Sequence, residues 1–212
     1  DHAGCEGGVL VTKNNKYALR AQLCRNHGES VVEGLPGYEA GPIFGNNYRM
    51  TEIVAAIAEV QLDKIDFLNK KRIALADRLT EKLSDIPGLT PPYIPKGNTH
   101  VYYSYMIKID EKRLGMSRTA FVTALQKRGF PIGAGYVKPL YLSPLFQSKQ
   151  AFNNTHFPFD YQDMKQDYTK GICPVTERMH YHELVGTDVC QHPYTAAHID
   201  AFVDAIHEVI GL

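Results

Sequence analysis

The sequence has 212 residues, of which 44% are hydrophobic and 22% are charged. This length suffices for one large domain with a buried core, or for one small domain plus part of another. Lysine plus arginine and aspartate plus glutamate both number 23, so the formal net charge is zero. Because a neutral chain has no electrostatic attraction to polyanions, and no apolar run approaches the roughly 20 residues that cross a bilayer, we expect neither nucleic acid nor a membrane as a partner.

The cysteines and the opening residues bear on the cellular compartment. Cys5, Cys24, Cys173 and Cys190 form no Cys-x-x-Cys pair and no repeated spacing. In a chain of this size that pattern is typical of free thiols in a reducing compartment. The first residues lack the basic flank and apolar centre of a secretory signal. We therefore predict a cytoplasmic protein.

The first fifty residues combine short regular elements with a long glycine-rich segment. Residues 9–12 are a short apolar run that predicts a buried strand, and residues 16–25 have the spacing of a helix. Gly28 is suited to a left-handed cap at the end of that helix. Four glycines and two prolines follow within residues 29–47, which predicts an extended loop. Long irregular loops inside compact domains are usually functional.

A long helical pattern follows the loop. Thr51 is a good N-cap, and apolar residues recur at helical spacing to about residue 83. Such a length predicts one long or kinked helix that packs against more than one neighbour. We place the boundary between two packing units along this helix, near residue 70. The proline-rich residues 91–95 are then a connector.

The remainder has the pattern of a small α/β unit. Apolar and aromatic residues alternate over residues 101–109, which predicts a strand. Ser117 is placed to cap a helix that runs to residue 127, and residues 131–137 form a glycine-bearing strand or loop. Residues 138–172 show little periodicity. Thr195 is placed to cap a final helix with one apolar face.

Three segments carry the strongest functional signal. They are Cys-Glu-Gly-Gly at residues 5–8, Arg-Asn-His-Gly at residues 25–28 and Asn-Tyr-Arg-Met at residues 47–50. In this order and spacing they resemble the DegT/DnrJ/StrS family of sugar aminotransferases, and residues 135–141 and 173–178 match that family more loosely. The resemblance implies the α/β architecture of the fold-type-I aminotransferases. It also implies that residues 1–70 complete the large cofactor domain and that residues 71–212 form the small domain.

The same resemblance implies the cofactor, pyridoxal 5'-phosphate. Members of the family carry a Schiff-base lysine a few residues before the glycine-rich segment. When Cys5 takes the first glycine position, that lysine falls immediately before Asp1, so we expect no catalytic residue within the sequence itself. The cofactor supplies the electron sink, and the protein supplies the lysine, a phosphate cradle and substrate orientation.

Two residues at the start of the long helix are candidate cofactor ligands. In the family, the asparagine of Asn-Tyr-Arg-Met reaches across a dimer interface to the cofactor phosphate, and Asn47 holds the matching position. Its amide can donate to phosphate oxygens just ahead of a helix N-terminus that favours anions. Arg49 suits a phosphate or a carboxylate. From composition alone, Asn47 would only cap the helix and Arg49 would make a surface ion pair, but the resemblance favours cofactor binding.

Two further residues of this part are candidates for loop support. Glu6 either orients the active-site loop or fills a turn between regular elements. His27 is placed to hold a loop by hydrogen bonding, and a structural role is the simpler interpretation for it.

The small domain supplies the candidate substrate contacts. His100 precedes the aromatic strand, where the family often has residues that face the substrate. Tyr136, Lys138 and Tyr141 lie where the family's small-domain loop contacts the sugar or its phosphate. Many members carry histidine in two positions where this chain has Gly135 and Tyr141, so the resemblance specifies these contacts less closely.

A metal site is the competing interpretation of one cluster. His180, His182, Glu183, Cys190 and His192 lie within thirteen positions, yet neither His-x-His nor Cys-x-His has the spacing of a zinc finger or a zinc protease. We expect no metal here, and expect instead polar residues of a core or of a pocket rim.

Together these features predict a homodimeric enzyme that transfers an amino group from glutamate or glutamine to a keto- or aldehydo-sugar, and they favour a sugar linked to a nucleotide. The donor, the sugar and the shared active sites are implied by the resemblance. One alternative has the same fold: a sugar 3-dehydratase, in which a histidine replaces the lysine. The other is a non-catalytic sugar-binding homologue. The residue before Asp1 separates the first alternative from the aminotransferase.

Overall fold

The computed structural model of the chain describes residues 6–28, 43–152, 155–161 and 166–211. It divides into two compact units, Asp1–Asp66 and Phe67–Leu212, here called the first unit and the second unit. The sequence-based domain boundary near residue 70 stays a prediction. In the described part of the chain, no helix is both long enough and apolar enough to cross a membrane.

The first unit contains two helices. Helix α1 (Asn15–Arg25) begins where the side chain of Asn14 accepts hydrogen bonds from the backbone N–H groups of Lys16 and Tyr17. Helix α2 (Glu52–Leu62) begins where the hydroxyl of Thr51 accepts a hydrogen bond from the backbone N–H of Val54 at 3.4 Å. Both starts agree with the sequence analysis, because side-chain caps depend on local residues.

The predicted buried strand at residues 9–12 is wrong. These residues adopt no regular structure and are exposed, with Val11 retaining 88% of its accessible surface. A strand of this kind is stabilised by the neighbours that complete its hydrogen bonds. Among the described residues of the first unit there is no second strand to pair with it.

The long helical pattern after Thr51 forms two helices, so the expected continuous or kinked helix is interrupted. Helix α2 ends at Leu62, and α3 (Ile65–Leu83) begins after a two-residue break at residues 63–64. At the break, the N–H of Lys64 bonds to the carbonyl of Gln61 at 3.1 Å, an i to i−3 bond that tightens a helix end. The division between the two units falls in the first turn of α3.

The second unit is built on a four-stranded antiparallel sheet. Its strands are β1 (Leu89–Thr90), β2 (Tyr105–Ile109), β3 (Ile132–Ala134) and β4 (Leu184–Thr187). Their order is β1-β2-β4-β3, so β4, which comes last in the chain, lies in the middle of the sheet. Its helices after α3 are α4 (Glu111–Leu114), α5 (Arg118–Lys127), α6 (Pro144–Ser148), α7 (Pro174–Arg178) and α8 (Ala196–Ile210). A 3-10 turn (Leu140–Leu142) precedes α6, and a π-helical turn (Met179–Glu183) follows α7.

The core of the second unit lies between the sheet and the helices α3, α5 and α8. Its fully buried side chains come from the sheet and from each of the three helices. They include Leu79, Leu83, Ile107, Phe121, Leu125, Val185, Phe202 and Ile206. The helices α5 and α8 begin at the predicted caps, Ser117 and Thr195. Their apolar faces match those read from the sequence, because a helix that covers a sheet buries one stripe of its surface.

The predicted strand over residues 101–109 is shorter than expected. Regular pairing begins only at Tyr105, and the alternation of buried and exposed residues changes phase just before it. Tyr102 has a left-handed backbone (φ 49°) and is buried, whereas Tyr103 is 63% exposed. A positive φ is rare for a bulky residue and rotates the following side chains to the other face.

The cysteines that the structure describes carry free thiols, as predicted. They are Cys24, Cys173 and Cys190. Cys5 lies outside the described residues. Burial raises the pKa of the Cys190 thiol to about 12, so this thiol stays protonated at neutral pH.

Candidate functional site

Two of the three diagnostic segments are joined by backbone hydrogen bonds. The N–H of Asn46 donates to the carbonyl of Cys24 at 2.8 Å, the N–H of His27 donates to the carbonyl of Asn46 at 3.1 Å, and the N–H of Tyr48 donates to the carbonyl of Arg25 at 2.9 Å. Residues 24–27 therefore lie antiparallel to residues 46–48. The segment that leads into α2 is fixed against the end of α1.

Two glycines make this close pairing possible. A Cβ atom on Gly45 would lie 2.1 Å from the backbone nitrogen of Gly28, and one on Gly28 would lie 2.1 Å from the carbonyl oxygen of Ile43. Gly28 also has a left-handed backbone (φ 74°), as the sequence analysis expected of it. Because both neighbours are backbone atoms, which cannot move aside as a side chain can, any larger residue would separate the two segments.

Asn47 and Arg49 are joined at the entrance to α2. The side-chain oxygen of Asn47 accepts hydrogen bonds from Arg49 Nε at 3.0 Å and from the backbone N–H of Arg49 at 3.4 Å. This fixes which way the amide points and directs its NH₂ group away from Arg49. Among the described residues, the Asn47 NH₂ and the two terminal nitrogens of Arg49 have no acceptor.

The adjacent helix end adds backbone donors. The Thr51 hydroxyl is bonded to Val54 N–H, which leaves the N–H groups of Glu52 and Ile53 without an acceptor in the part of the chain that is described. Side-chain and backbone donors that are free at one helix N-terminus suit an anion such as phosphate. The entrance to α2 thus has the donor chemistry of a phosphate site.

The remaining candidates of the first unit lie close to this entrance. A Cβ atom on Gly7 would lie 3.1 Å from the terminal methyl of Met50, so the glycine-rich opening segment lies beside the third diagnostic segment. Glu6 is exposed. His27 is exposed with a left-handed backbone (φ 61°), and its N–H is one of the bonds that pair the two segments. The support of the loop by the His27 side chain stays a prediction.

In the second unit, His100 is held against the aromatic strand. Its Nδ1 accepts a hydrogen bond from the backbone N–H of Tyr102 at 2.8 Å, and the two ring centroids are 4.4 Å apart. The residue itself is exposed. The imidazole orientation is therefore fixed from one side, and its Nε2 is the ring nitrogen left for another partner.

Tyr136, Lys138 and Tyr141 share the segment that follows β3. Gly135 starts this segment with a left-handed backbone (φ 73°) and donates its N–H to the carbonyl of Leu184 at 2.6 Å. Tyr136 and Lys138 are exposed, whereas Tyr141 is half-buried. These three predicted residues lie within six positions of the chain, and their contact with a substrate stays a prediction.

Tyr141 is bonded to a carboxylate that the sequence analysis did not single out. Its hydroxyl donates to Glu177 Oε1, which also accepts the backbone N–H of Gly171 at 2.6 Å. The Tyr141 hydroxyl and the Gly171 N–H lower the pKa of the Glu177 carboxyl, while burial and the neighbouring carboxylate raise the pKa of the tyrosine. Glu177 lies in the Cys-Pro-Val-Thr-Glu-Arg segment that resembles the family, which was the available signal.

Two residues of the cluster considered for a metal make other contacts. Glu183 forms ion pairs with Arg178 at 2.8 Å and with Lys108 at 3.8 Å. The carbonyl of His180 accepts a hydrogen bond from the guanidinium of Arg118 at 2.8 Å. Within the described ranges, no group of three or more histidine, cysteine, aspartate or glutamate side chains is arranged to hold a metal ion.

Comparisons with known proteins agree with the fold and the motifs. The chain is 31% identical over 160 residues to the uncharacterized protein MJ1066 of Methanocaldococcus jannaschii. It is 29% identical over 161 residues to the spore coat polysaccharide biosynthesis protein SpsC of Bacillus subtilis strain 168. Each match covers 72% of this chain and 41% of the relative, so the chain spans less than half the length of these relatives.

A solved structure identifies the fold. The crystal structure of S. venezuelae DesV in complex with a ketimine intermediate superposes with a TM-score of 0.72 at 20% identity, over 95% of this chain and 46% of DesV. The fold is thus that of the fold-type-I aminotransferases. A family model also matches residues 3–184, which include all three diagnostic segments and Glu177. On this evidence the chain belongs to the DegT/DnrJ/EryC1/StrS aminotransferase family.

Proposed function

We propose that this chain is part of a pyridoxal-phosphate-dependent enzyme that transfers an amino group from glutamate or glutamine to a keto- or aldehydo-sugar linked to a nucleotide. In the net reaction, the sugar carbonyl becomes an amine-bearing carbon and the amine-bearing carbon of the donor becomes a carbonyl. The family membership and the polysaccharide role in the name of SpsC support this proposal. The product would enter amino-sugar biosynthesis.

The observation that carries the proposal is the entrance to α2. Asn47 and Arg49 fix each other through one side-chain hydrogen bond and leave at least three donor groups free among the described residues, next to the free N–H groups of a helix end. A phosphate dianion accepts several hydrogen bonds and is stabilised at such a position. The residues present therefore fit the phosphate of the proposed cofactor.

Each candidate residue has a defined task in this proposal. The bound cofactor supplies the electron sink for proton removal at the donor's amine-bearing carbon. Asn47 and Arg49 bind its phosphate. His100 binds and orients the sugar or its phosphates together with Tyr136, Lys138 and Tyr141. The Schiff-base lysine that we expect before Asp1 would serve as the general acid–base. Glu6 and His27 support the surrounding loops.

The direct test uses the full-length protein. We expect the purified enzyme to show the absorbance of lysine-bound pyridoxal phosphate and to form 2-oxoglutarate from glutamate when it is supplied with a nucleotide-linked keto-sugar. Asn47→Ala should weaken cofactor binding by about tenfold, the loss of one charge-assisted hydrogen bond. A protein that binds no pyridoxal phosphate would overturn the proposal. Loss of the sugar 3-hydroxyl without gain of nitrogen would assign the dehydratase reaction instead.

We also propose a homodimer in which Asn47 binds the cofactor of the neighbouring subunit. This has a separate test in mixed dimers of two full-length variants, Asn47→Ala and one without the Schiff-base lysine. The assay uses a cofactor concentration too low to load the Asn47→Ala homodimer, so that each variant alone is inactive. If Asn47 serves the partner, one active site of each mixed dimer combines an intact lysine with an intact Asn47, and activity returns. If Asn47 serves its own subunit, both sites stay defective and mixing restores nothing.

A further inference from the structure

The segment of the predicted substrate contacts is connected to a long excursion of the chain. The stretch between Tyr141 and Gly171, here called the excursion, belongs to the second unit. The two ends meet at one carboxylate oxygen, because Glu177 Oε1 accepts both the Tyr141 hydroxyl and the Gly171 N–H. Glu177 therefore holds the two ends of the excursion next to each other.

A second side chain joins the same two ends. The Gln147 side-chain nitrogen donates to the carbonyl of Tyr141 at 2.7 Å and to the carbonyl of Tyr168 at 2.7 Å. Gln147 is exposed, whereas Glu177 retains only 9% of its accessible surface. Water can replace the Gln147 bonds more easily than the bonds to Glu177. We therefore expect Glu177 to be the stronger of the two ties.

The charge of Glu177 strengthens its bonds. Hydrogen bonds from Tyr141 and Gly171 lower the pKa of its carboxyl, so the group is ionised at neutral pH. Bonds to an ionised acceptor are shorter and roughly twice as strong as bonds between neutral groups. A glutamine in this position would keep an acceptor of similar shape but lose the charge.

The hydrogen bond of Tyr141 fixes the downstream end of the substrate segment, residues 135–141, and a second hydrogen bond fixes its upstream end. At its upstream end, the Gly135 N–H is bonded to the carbonyl of Leu184 in β4. Between the two ties lie the exposed side chains of Tyr136 and Lys138. A segment that is fixed at both ends is already ordered when the ligand binds, and the ligand then loses less affinity to the cost of ordering it.

We propose that Glu177 is a positioning residue for sugar binding: through Tyr141 it fixes the segment that carries Tyr136 and Lys138. This rests on the proposed function, because it assigns a task to residues of the same site. Glu177 touches neither cofactor nor reacting atoms in this proposal. Its loss therefore affects the affinity for the sugar and leaves the donor half-reaction unchanged.

The test uses the full-length holoenzyme with Glu177→Ala, Glu177→Gln and Tyr141→Phe, and with Glu81→Gln as a control on the exposed face of α3. We expect KM for the sugar to rise about tenfold in Glu177→Ala and Tyr141→Phe, and less in Glu177→Gln, with kcat nearly unchanged. The rate at which glutamate alone converts the cofactor should equal that of the wild type in Glu177→Ala, Glu177→Gln and Glu81→Gln. Glu81→Gln should also retain the wild-type KM.

Two results would overturn the proposal. One is an unchanged KM for the sugar in both Glu177→Ala and Tyr141→Phe. The other is an equal loss in the donor half-reaction, which would mean that Glu177 acts on the whole domain. Hydrogen exchange tests the bond between Gly171 and Glu177 without an activity assay. The Gly171 amide should exchange faster in Glu177→Ala than in the wild type, and at the wild-type rate in Glu81→Gln. If the proposed function itself were wrong, the wild-type donor half-reaction would be absent while this exchange result could still hold.

Discussion

The two units of the chain are stabilised in different ways. The second unit has an apolar core in which side chains from one sheet and three helices are fully buried. Among the described residues of the first unit, only Leu23 and Asn26 are buried, and α2 buries none of its side chains. The conformation of the first unit depends on backbone pairing between residues 24–27 and 46–48 and on two glycines that allow it. The candidate phosphate site therefore lies in the unit with the smaller core.

Helix α2 makes the contrast sharpest. Ile53 retains 75% of its accessible surface and Leu62 retains 66%, although the helix is rich in apolar residues. A helix that is apolar on most sides is normally buried. This fits the proposal that the full-length protein is longer than this chain and dimeric, with α2 covered in that assembly.

The largest effect that we predict is a core substitution in the second unit. Phe202 in α8 is fully buried, and its ring centroid lies 5.1 Å from that of Phe130. Phe202→Ala should lower the free energy of unfolding by about 3–5 kcal/mol, because it removes buried apolar area and leaves a cavity. Denaturant unfolding monitored by circular dichroism measures this change.

The matched control is the same substitution at an exposed position of the same unit. Phe152 retains 62% of its accessible surface. Phe152→Ala should change the free energy of unfolding by less than about 0.5 kcal/mol. Equal losses at the two positions would contradict the view that the apolar core stabilises the second unit.

A glycine substitution tests the first unit in the same way. In Gly45→Ala the new methyl would lie 2.1 Å from the backbone nitrogen of Gly28, so the paired segments must separate. We expect the affinity for pyridoxal phosphate to fall at least about tenfold, measured by absorbance titration of the full-length protein. Gly8→Ala is the control, since a methyl there meets no described atom within 4 Å. Wild-type affinity in Gly45→Ala would show that the pairing does not position Asn47 and Arg49.

The elements that the sequence predicts well are those fixed by local residues. The caps of α5 and α8 and the apolar face of α8 are confirmed, because a cap and a helical stripe both involve residues three or four positions apart. Thr51 is confirmed as a cap for the same reason. The break after Leu62 was not predicted, since the apolar pattern continues through it.

The strands were predicted less well because their neighbours decide them. Residues 9–12 have the composition of a buried strand but no partner strand among the described residues. Conversely, β4 was missed although it lies in the middle of the sheet, where it pairs with β2 and β3. Its four residues include a glycine and give too short a pattern to recognise. The change of phase at Tyr102 follows from one backbone angle that no periodicity reveals.

The candidate site was also predicted only in part from the sequence. The resemblance to the family predicted which segments matter, and the structure shows the backbone bonds that join two of them. The bond between Tyr141 and Glu177 could not be predicted, because these residues are 36 positions apart in the chain and no local pattern links them. The roles of the named site residues stay predictions.

A smaller effect is expected at a helix cap of the second unit. The Ser117 hydroxyl accepts a hydrogen bond from the Ala120 N–H at 3.2 Å at the start of α5. Ser117→Ala should lower the free energy of unfolding by about 1 kcal/mol. Ser143→Ala is a close control, because Ser143 stands at the same position before α6 but makes no capping hydrogen bond through its side chain. Equal losses would show that the cap contributes nothing of its own.

The smallest effect is the pH dependence of an ion pair between α3 and α8. Arg78 binds Asp200 through two hydrogen bonds of 2.9 and 2.8 Å, and Lys82 adds a contact of 3.2 Å. The Arg78 guanidinium lowers the pKa of the Asp200 carboxyl below that of an unfolded aspartate, about 3.9. The pair therefore stabilises the fold fully above about pH 4, and this contribution is lost as the pH falls through the lowered pKa.

Unfolding midpoints of the wild type and of Asp200→Asn at two pH values measure this contribution. Asp200→Asn should lower the midpoint slightly at pH 6, because the partners are more than a third exposed and solvent weakens the pair. The difference should shrink toward zero by about pH 2, where the wild-type carboxyl is increasingly protonated as well. A difference that stays constant over this range would show that Asp200 acts through packing and not through its charge. The stability of the second unit would then be attributed to its apolar core, with no contribution from the charge of this ion pair.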